Sequence, residues 1–349
     1  MYKKRKLKKW VRNILYFIVF GIIGSFIFHY TNAYEIIEKQ FKKKDTSIGL
    51  IHVEKFKVKI IDEESKTRPI AVSINNNHDA WPHAGLQDAY TVYELIAEGG
   101  ITRLLAFYKD KNTTKIGSVR SARHYFLDYV MEHDAIFVHY GYSPQAKQDI
   151  NTYKINNLNG LYDYNVFYRD TSLNKAYEHT AFTTMKKINN GIKSYKYRTT
   201  TEEKVPFNYS VSKVKFDDTK IQAKKVTIEY SDYQTTSYVY DEENKNYLLY
   251  MDGKKHTDAI TNKQYTVKNI ITYQVSNSTM GTKGRQELHN IGSGEGYYIS
   301  NGEAIKIKWS KSSRNSKTIY TKMNGEVLKV NDGNTWVHIQ PKSKELKIK

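Results

Sequence analysis

Four polar clusters carry the side chains able to do chemistry. In Glu98-Gly99-Gly100-Ile101-Thr102-Arg103 the glycine pair lets backbone approach a ligand closely, and Glu98 becomes a general acid if burial raises its pKa. The plainer reading of the same stretch is a tight hairpin closed by a Glu98–Arg103 ion pair. Gly117-Ser118-Val119-Arg120-Ser121-Ala122-Arg123-His124 sets two arginines three residues apart. On a helix capped by Ser118, Arg120 and Arg123 share a face at the N-terminus, where free N–H groups and the dipole join two guanidiniums in attracting carboxylate or phosphate. Arginine is mildly unfavourable at that end of a helix, so its placement calls for a negative partner, either a ligand or a buried carboxylate such as Glu98. His139-Tyr140-Gly141-Tyr142-Ser143 closes an apolar run, the usual place of a site in an α/β sheet, while Asn75-Asn76-Asn77-His78 and His179 complete the set.

These clusters need elements to position them. Apolar runs predict strands at residues 69–74, 90–97, 101–108 and 135–140, and the Gly99-Gly100 pair marks a turn between two of them. Helices are expected at 119–131, from Ser143-Pro144 to 150, and from His179-Thr180 to about 192. Strands alternating with helices make residues 67–205 an α/β domain with a candidate ligand cleft. Residues 216–341 read differently. Alternating segments at 225–230, 246–251 and 304–309 are separated by Asp252-Gly253, Asn301-Gly302, Asn324-Gly325 and Asp332-Gly333, strong hairpin signals, so this domain is expected to be predominantly β. A basic tail, 342–349, follows.

At the other end, residues 1–12 hold seven cations and 13–30 form an uncharged, mostly apolar run, predicted to cross a membrane once with the cationic flank in the cytoplasm. A cleaved signal peptide ending at Thr31-Asn32-Ala33 is the competing reading. Residues 31–66 read as a tether. The protein is therefore expected at the cell membrane with its domains outside. Its 349 residues include 55 Lys and Arg against 36 Asp and Glu, a formal net charge of +19. Partners should then be anionic: a wall polymer, peptidoglycan carboxylates or lipid head groups, with nucleic acid an unlikely one. Cysteine is absent, which excludes disulfides and a lipid-modified cysteine. With no H-E-x-x-H, G-x-S-x-G or G-x-x-x-x-G-K pattern, no metal and no cofactor is expected. Gly292-Ser293-Gly294-Glu295-Gly296 is followed by strands where a nucleotide loop requires a helix, so its glycines suit bulges and turns.

The chain resembles the YerB-like family of bacterial envelope proteins. The resemblance rests on Arg68-Pro69-Ile70-Ala71-Val72, Tyr93-Glu94, the Glu98 to Arg103 and Gly117 to Arg123 clusters, His139-Tyr140-Gly141-Tyr142-Ser143-Pro144, Gly292-Ser293-Gly294, Trp309-Ser310-Lys311 and Gly333-Asn334-Thr335-Trp336. It implies two extracytoplasmic domains and no settled activity; many relatives look like lipoproteins, and this chain lacks the cysteine they use. The leading expectation is a membrane-anchored envelope protein that binds an anionic, glycan-containing wall ligand through Arg103, Arg120 and Arg123, with Asn75, Thr102, Ser143 and His179 around it. An enzyme is the rival. There Glu98 is general acid in glycan cleavage, with Asn75, His139 and His179 orienting substrate; with a single acid placed, a lytic transglycosylase-type reaction fits better than two-carboxylate hydrolysis. A structural protein docking other envelope proteins is the third.

Overall fold

The structure is a computed structural model and describes residues 57–349. Its centre is an eleven-stranded sheet. Ten strands run in the order Ile221–Gln222, Glu303–Lys311, Gly292–Ser300, Asn269–Val275, Thr335–Pro341, Thr91–Ile96, Thr102–Tyr108, Ile70–Asn75, Ile136–His139 and Asn157–Asn159, and Ile319–Lys322 pairs with Glu303–Lys311. Both halves of the sequence thus build one sheet. Their junction is Thr335–Pro341, parallel to Thr91–Ile96 on one side and to Asn269–Val275 on the other.

Local sequence explains the strand types. Ile70–Asn75, Thr91–Ile96 and Thr102–Tyr108 are buried at every position, as their unbroken apolar runs require of strands covered on both faces. Lys225–Glu229, Thr235–Asp241 and Asn246–Met251 instead bury alternate residues, and with three shorter strands they form a six-stranded sheet. Its inner face carries Val226, Ile228, Tyr238, Tyr247 and Leu249. The Tyr230 and Tyr238 hydroxyls reach His338 at 3.0 and 2.7 Å, which seats this sheet on the Thr335–Pro341 strand. Between Gly292–Ser300 and Glu303–Lys311 the chain reverses at Asn301 and Gly302, both left-handed, with φ of 55° and 80°. A Cβ at Gly302 would lie 2.7 Å from the Tyr240 ring, so a side chain there would have to displace that ring while holding a left-handed backbone.

The expected fold class is corrected. Residues 67–205 do not form an alternating α/β domain: the described chain is mostly β-sheet, with three short α-helices at Phe126–Glu132, Pro144–Thr152 and Met185–Ser194. The first helix begins eight residues after Ser118 because the Gly117 to Arg123 segment is extended. Asn75 N donates to Ser118 O at 2.9 Å, Val119 N to Ala181 O at 2.7 Å and Arg120 N to Ser73 O at 2.8 Å, so donors that would open a helix are used in sheet-like pairing. His179 likewise ends a 3₁₀ turn, Ala181–Thr183 is a strand, and the helix waits for Thr184, whose hydroxyl caps Lys187 N at 3.0 Å. The membrane-crossing helix expected at 13–30 lies outside the described residues, and among those described no helix is long and apolar enough to cross a membrane.

Candidate functional site

Arg103 and Arg123 converge on Glu98, each from a different element. Arg103 leaves the buried strand Thr102–Tyr108, Arg123 the extended segment, and Glu98 the turn Glu98–Gly100. Arg123 grips the carboxylate with two donors, Nε and Nη2, the latter at 2.7 Å, and Arg103 Nη2 stands 3.4 Å away. Both arginines also hold backbone: Arg103 Nη1 donates to Ser121 O and Arg123 Nη1 to Ala122 O, each at 2.8 Å. Burial acts to raise the Glu98 pKa, but the Arg123 hydrogen bonds and the two guanidinium charges outweigh it and hold the carboxyl below its usual range. A general acid needs the opposite shift. The plainer reading, an ion pair closing the turn, describes this cluster, with Arg123 as the dominant partner.

A second constellation forms beside it. Asn75 Nδ2, the amide donor, stands 2.9 Å from His179 Nδ1, so that nitrogen accepts and Nε2 carries the proton. Nε2 faces Glu178 Oε1 at 3.5 Å, while Arg120 Nη2 faces Glu178 Oε2 at 3.4 Å. His179 is buried, and burial lowers its pKa. The Glu178 side chain is 55% exposed. Two donors therefore point at one solvent-exposed carboxylate through long contacts.

Aromatic side chains surround this pair. Tyr140 N donates to Arg120 O, the Ser121 hydroxyl to Tyr140 O, and the Arg169 guanidinium lies between the rings of Tyr140 at 4.4 Å and Tyr177 at 3.9 Å. Tyr177 is 71% exposed and precedes Glu178 directly. Tyr142 and Tyr162 join hydroxyls at 2.9 Å nearby, and Tyr162 too is open to solvent.

The remaining expected residues lie elsewhere. Thr102 is fully buried and donates to Glu94 Oε1 at 2.7 Å. His139 is fixed between Gly141 O at 2.8 Å and Asn157 Oδ1 at 3.1 Å, with burial lowering its pKa. Ser143 caps the Pro144–Thr152 helix by accepting from Ala146 N at 3.2 Å. Sequence reasoning missed the buried polar groups whose partners come from the second half. Glu94, fully buried, also accepts from Asn76 Nδ2 and from Thr236, whose hydroxyl lies 2.8 Å away, with His338 Nδ1 at 3.4 Å. His83 Nε2 donates to Asn75 O at 2.7 Å, so His83 Nδ1 accepts from His256 Nε2 at 2.7 Å. Burial pushes the His83 pKa down to about 4 and the His256 pKa well below its ordinary value, leaving a neutral pair beneath Asn75. No local signal joins residues 173 positions apart.

Residues 58–198 match the N-terminal domain, and residues 226–337 the C-terminal domain, of the protein of unknown function described as DUF3048. The chain is 32% identical over 282 residues to the "Putative lipoprotein YerB" of Bacillus subtilis (strain 168), covering 79% of this chain and 82% of that protein. It is also similar to the crystal structure of YerB protein from Bacillus subtilis, with a TM-score of 0.71 and 28% identity over 80% of this chain and 94% of that one.

Proposed function

The chain belongs to the DUF3048 family, alongside YerB, and we propose that it is a membrane-associated cell-envelope protein that binds an anionic, glycan-containing wall ligand at the Arg120 face. The relative's name supports the compartment. Ligand binding is supported by one observation above the rest: His179 is held by buried Asn75 and the Arg120 backbone is anchored to Ser73 and Tyr140, yet what the two side chains face is the half-exposed Glu178 carboxylate at 3.4 and 3.5 Å. A ligand carboxylate or phosphate entering from solvent takes the place of Glu178 and gains both donors. Exposed tyrosine rings, Tyr177 and Tyr162, offer the flat apolar faces against which sugar rings stack. Arg103 and Arg123 act here as positioning residues, holding the carbonyls of Ser121 and Ala122 and hence the strand that presents Arg120.

The test is sedimentation of the full-length chain with purified wall sacculi. Arg120→Ala is expected to weaken binding by about tenfold or more, the loss of one charge-assisted hydrogen-bond set. Glu178→Gln is expected to tighten it, because the internal competitor is gone. Undiminished binding by folded Arg120→Ala protein would overturn the reading.

A further inference from the structure

A cavity of about 500 Å³, sharing no lining residue with this face, lies between the Asn208–Ser210 strand with the loop after it, the Thr235–Asp241/Asn246–Met251 hairpin and the Asn301 turn. Four lysines line it, Lys213, Lys224, Lys245 and Lys268, against two carboxylates, Glu242 and Asp332. The carboxylates are engaged. Glu242 pairs with Lys224 at 2.6 Å, and both Asp332 oxygens accept backbone N–H groups, from Lys59 at 2.9 Å and Ile60 at 3.0 Å. Among the described residues, Lys213, Lys245 and Lys268 have no ion-pair partner.

Lys268 shows that this is a shaped site. Its ammonium is held by two neutral acceptors, Lys245 O at 2.8 Å and Asn301 Oδ1 at 2.7 Å, which use two of its three donors and leave one. Its stem lies across Gly333, where a Cβ would come within 2.5 Å of Lys268 Cβ, so the glycine makes room for the lysine. Burial, then the charges of Lys213 and Lys245, lower its pKa. Four lysines against two carboxylates leave an excess of positive charge in the lining, which an anion relieves.

We infer that this lysine-lined cavity is a second anion site, for a phosphate-bearing ligand, separate from the Arg120 face. Lysine favours phosphate over planar carboxylate here. An ammonium is a compact point charge with no fork to match a carboxylate edge, whereas several such charges around one cavity meet the distributed oxygens of a phosphate. The volume accommodates a small phosphodiester or pyrophosphate unit.

The full-length chain is titrated calorimetrically with inorganic pyrophosphate at low ionic strength, where screening is weakest. One saturable site is expected, with affinity reduced about tenfold or more in Lys245→Met/Lys268→Met, substitutions that keep the stems and remove two charges. Citrate serves as the carboxylate probe and should displace pyrophosphate poorly. No binding, or equal affinity in a double variant whose thermal melt matches the parent, overturns the site; equal competition by citrate overturns its phosphate preference. Sacculus binding through Arg120 is unaffected by the double variant, so the two sites fail separately.

Discussion

Glu132 and Glu178 are both carboxylates facing cations, and they illustrate opposite uses of charge. Glu132 and Lys311 meet at 2.6 Å with both side chains 0% exposed, and Thr318 and Tyr93 donate to the same carboxylate at 2.7 and 2.9 Å. Both oxygens have donors, Tyr93 on Oε1 and Lys311 and Thr318 on Oε2, and the side chain is sealed from water. Glu178 meets its partners at 3.4 and 3.5 Å with more than half its side chain in solvent. A saturated, dry pair specifies the fold and resists exchange; a loose, wet one is replaceable by a ligand of the same charge. The lysine cavity goes one step further, with more cations than carboxylates in its lining.

The sharpest way to break the contrast is Lys311→Met, which leaves Glu132 charged in a dry interior and is expected to destabilise by about 3–5 kcal/mol in denaturant unfolding. Adding Glu132→Gln should recover a large part; no recovery would mean that packing, not charge, dominates there. Acid comes next. His83, neutral when folded with a pKa of about 4 against about 6.5 unfolded, makes the unfolded chain bind more protons between those values. The contribution of this histidine is then complete above about pH 6.5 and is lost at roughly 1.4 kcal/mol per pH unit below it, a loss of about 2 kcal/mol by about pH 5. His83→Gln should reduce the slope, leaving the part due to His256, whose pKa burial also lowers, and thermal melts across the pH range measure the difference. Smallest is Glu178→Gln, expected to change stability by less than about 1 kcal/mol while altering ligand affinity; a large drop in Tm would place Glu178 with Glu132 and end the comparison.

Much of the strand content was legible. Residues 69–74, 101–108 and 246–251 read as strands because apolar runs and alternation are local properties, and Asn301-Gly302 announced its own reversal. Of the helix starts, Ser143-Pro144 was legible, its cap and first-position proline being local, but the other two were not, because Ser118 and His179 carry capping and periodicity signals that tertiary hydrogen bonds override. At the site, Asn75, Arg120 and His179 do meet, and Arg103 and Arg123 do share Glu98. Their roles depend on distances that residue types leave open. Glu94 was within view, but its companions Thr236 and His338 are 142 and 244 positions away, and only the shared sheet brings them near.

That sheet also constrains how the molecule comes into being. Its middle position belongs to Thr335–Pro341, flanked by Thr91–Ile96 and Asn269–Val275. A chain that emerges from its N-terminus has two strand edges waiting, hydrogen-bond donors and acceptors unpaired, until residues 335–341 have appeared. Loop closure over some 240 residues comes late and slowly. The keystone of this sheet is laid after both its neighbours, and a chain truncated before it has two edges open to strangers.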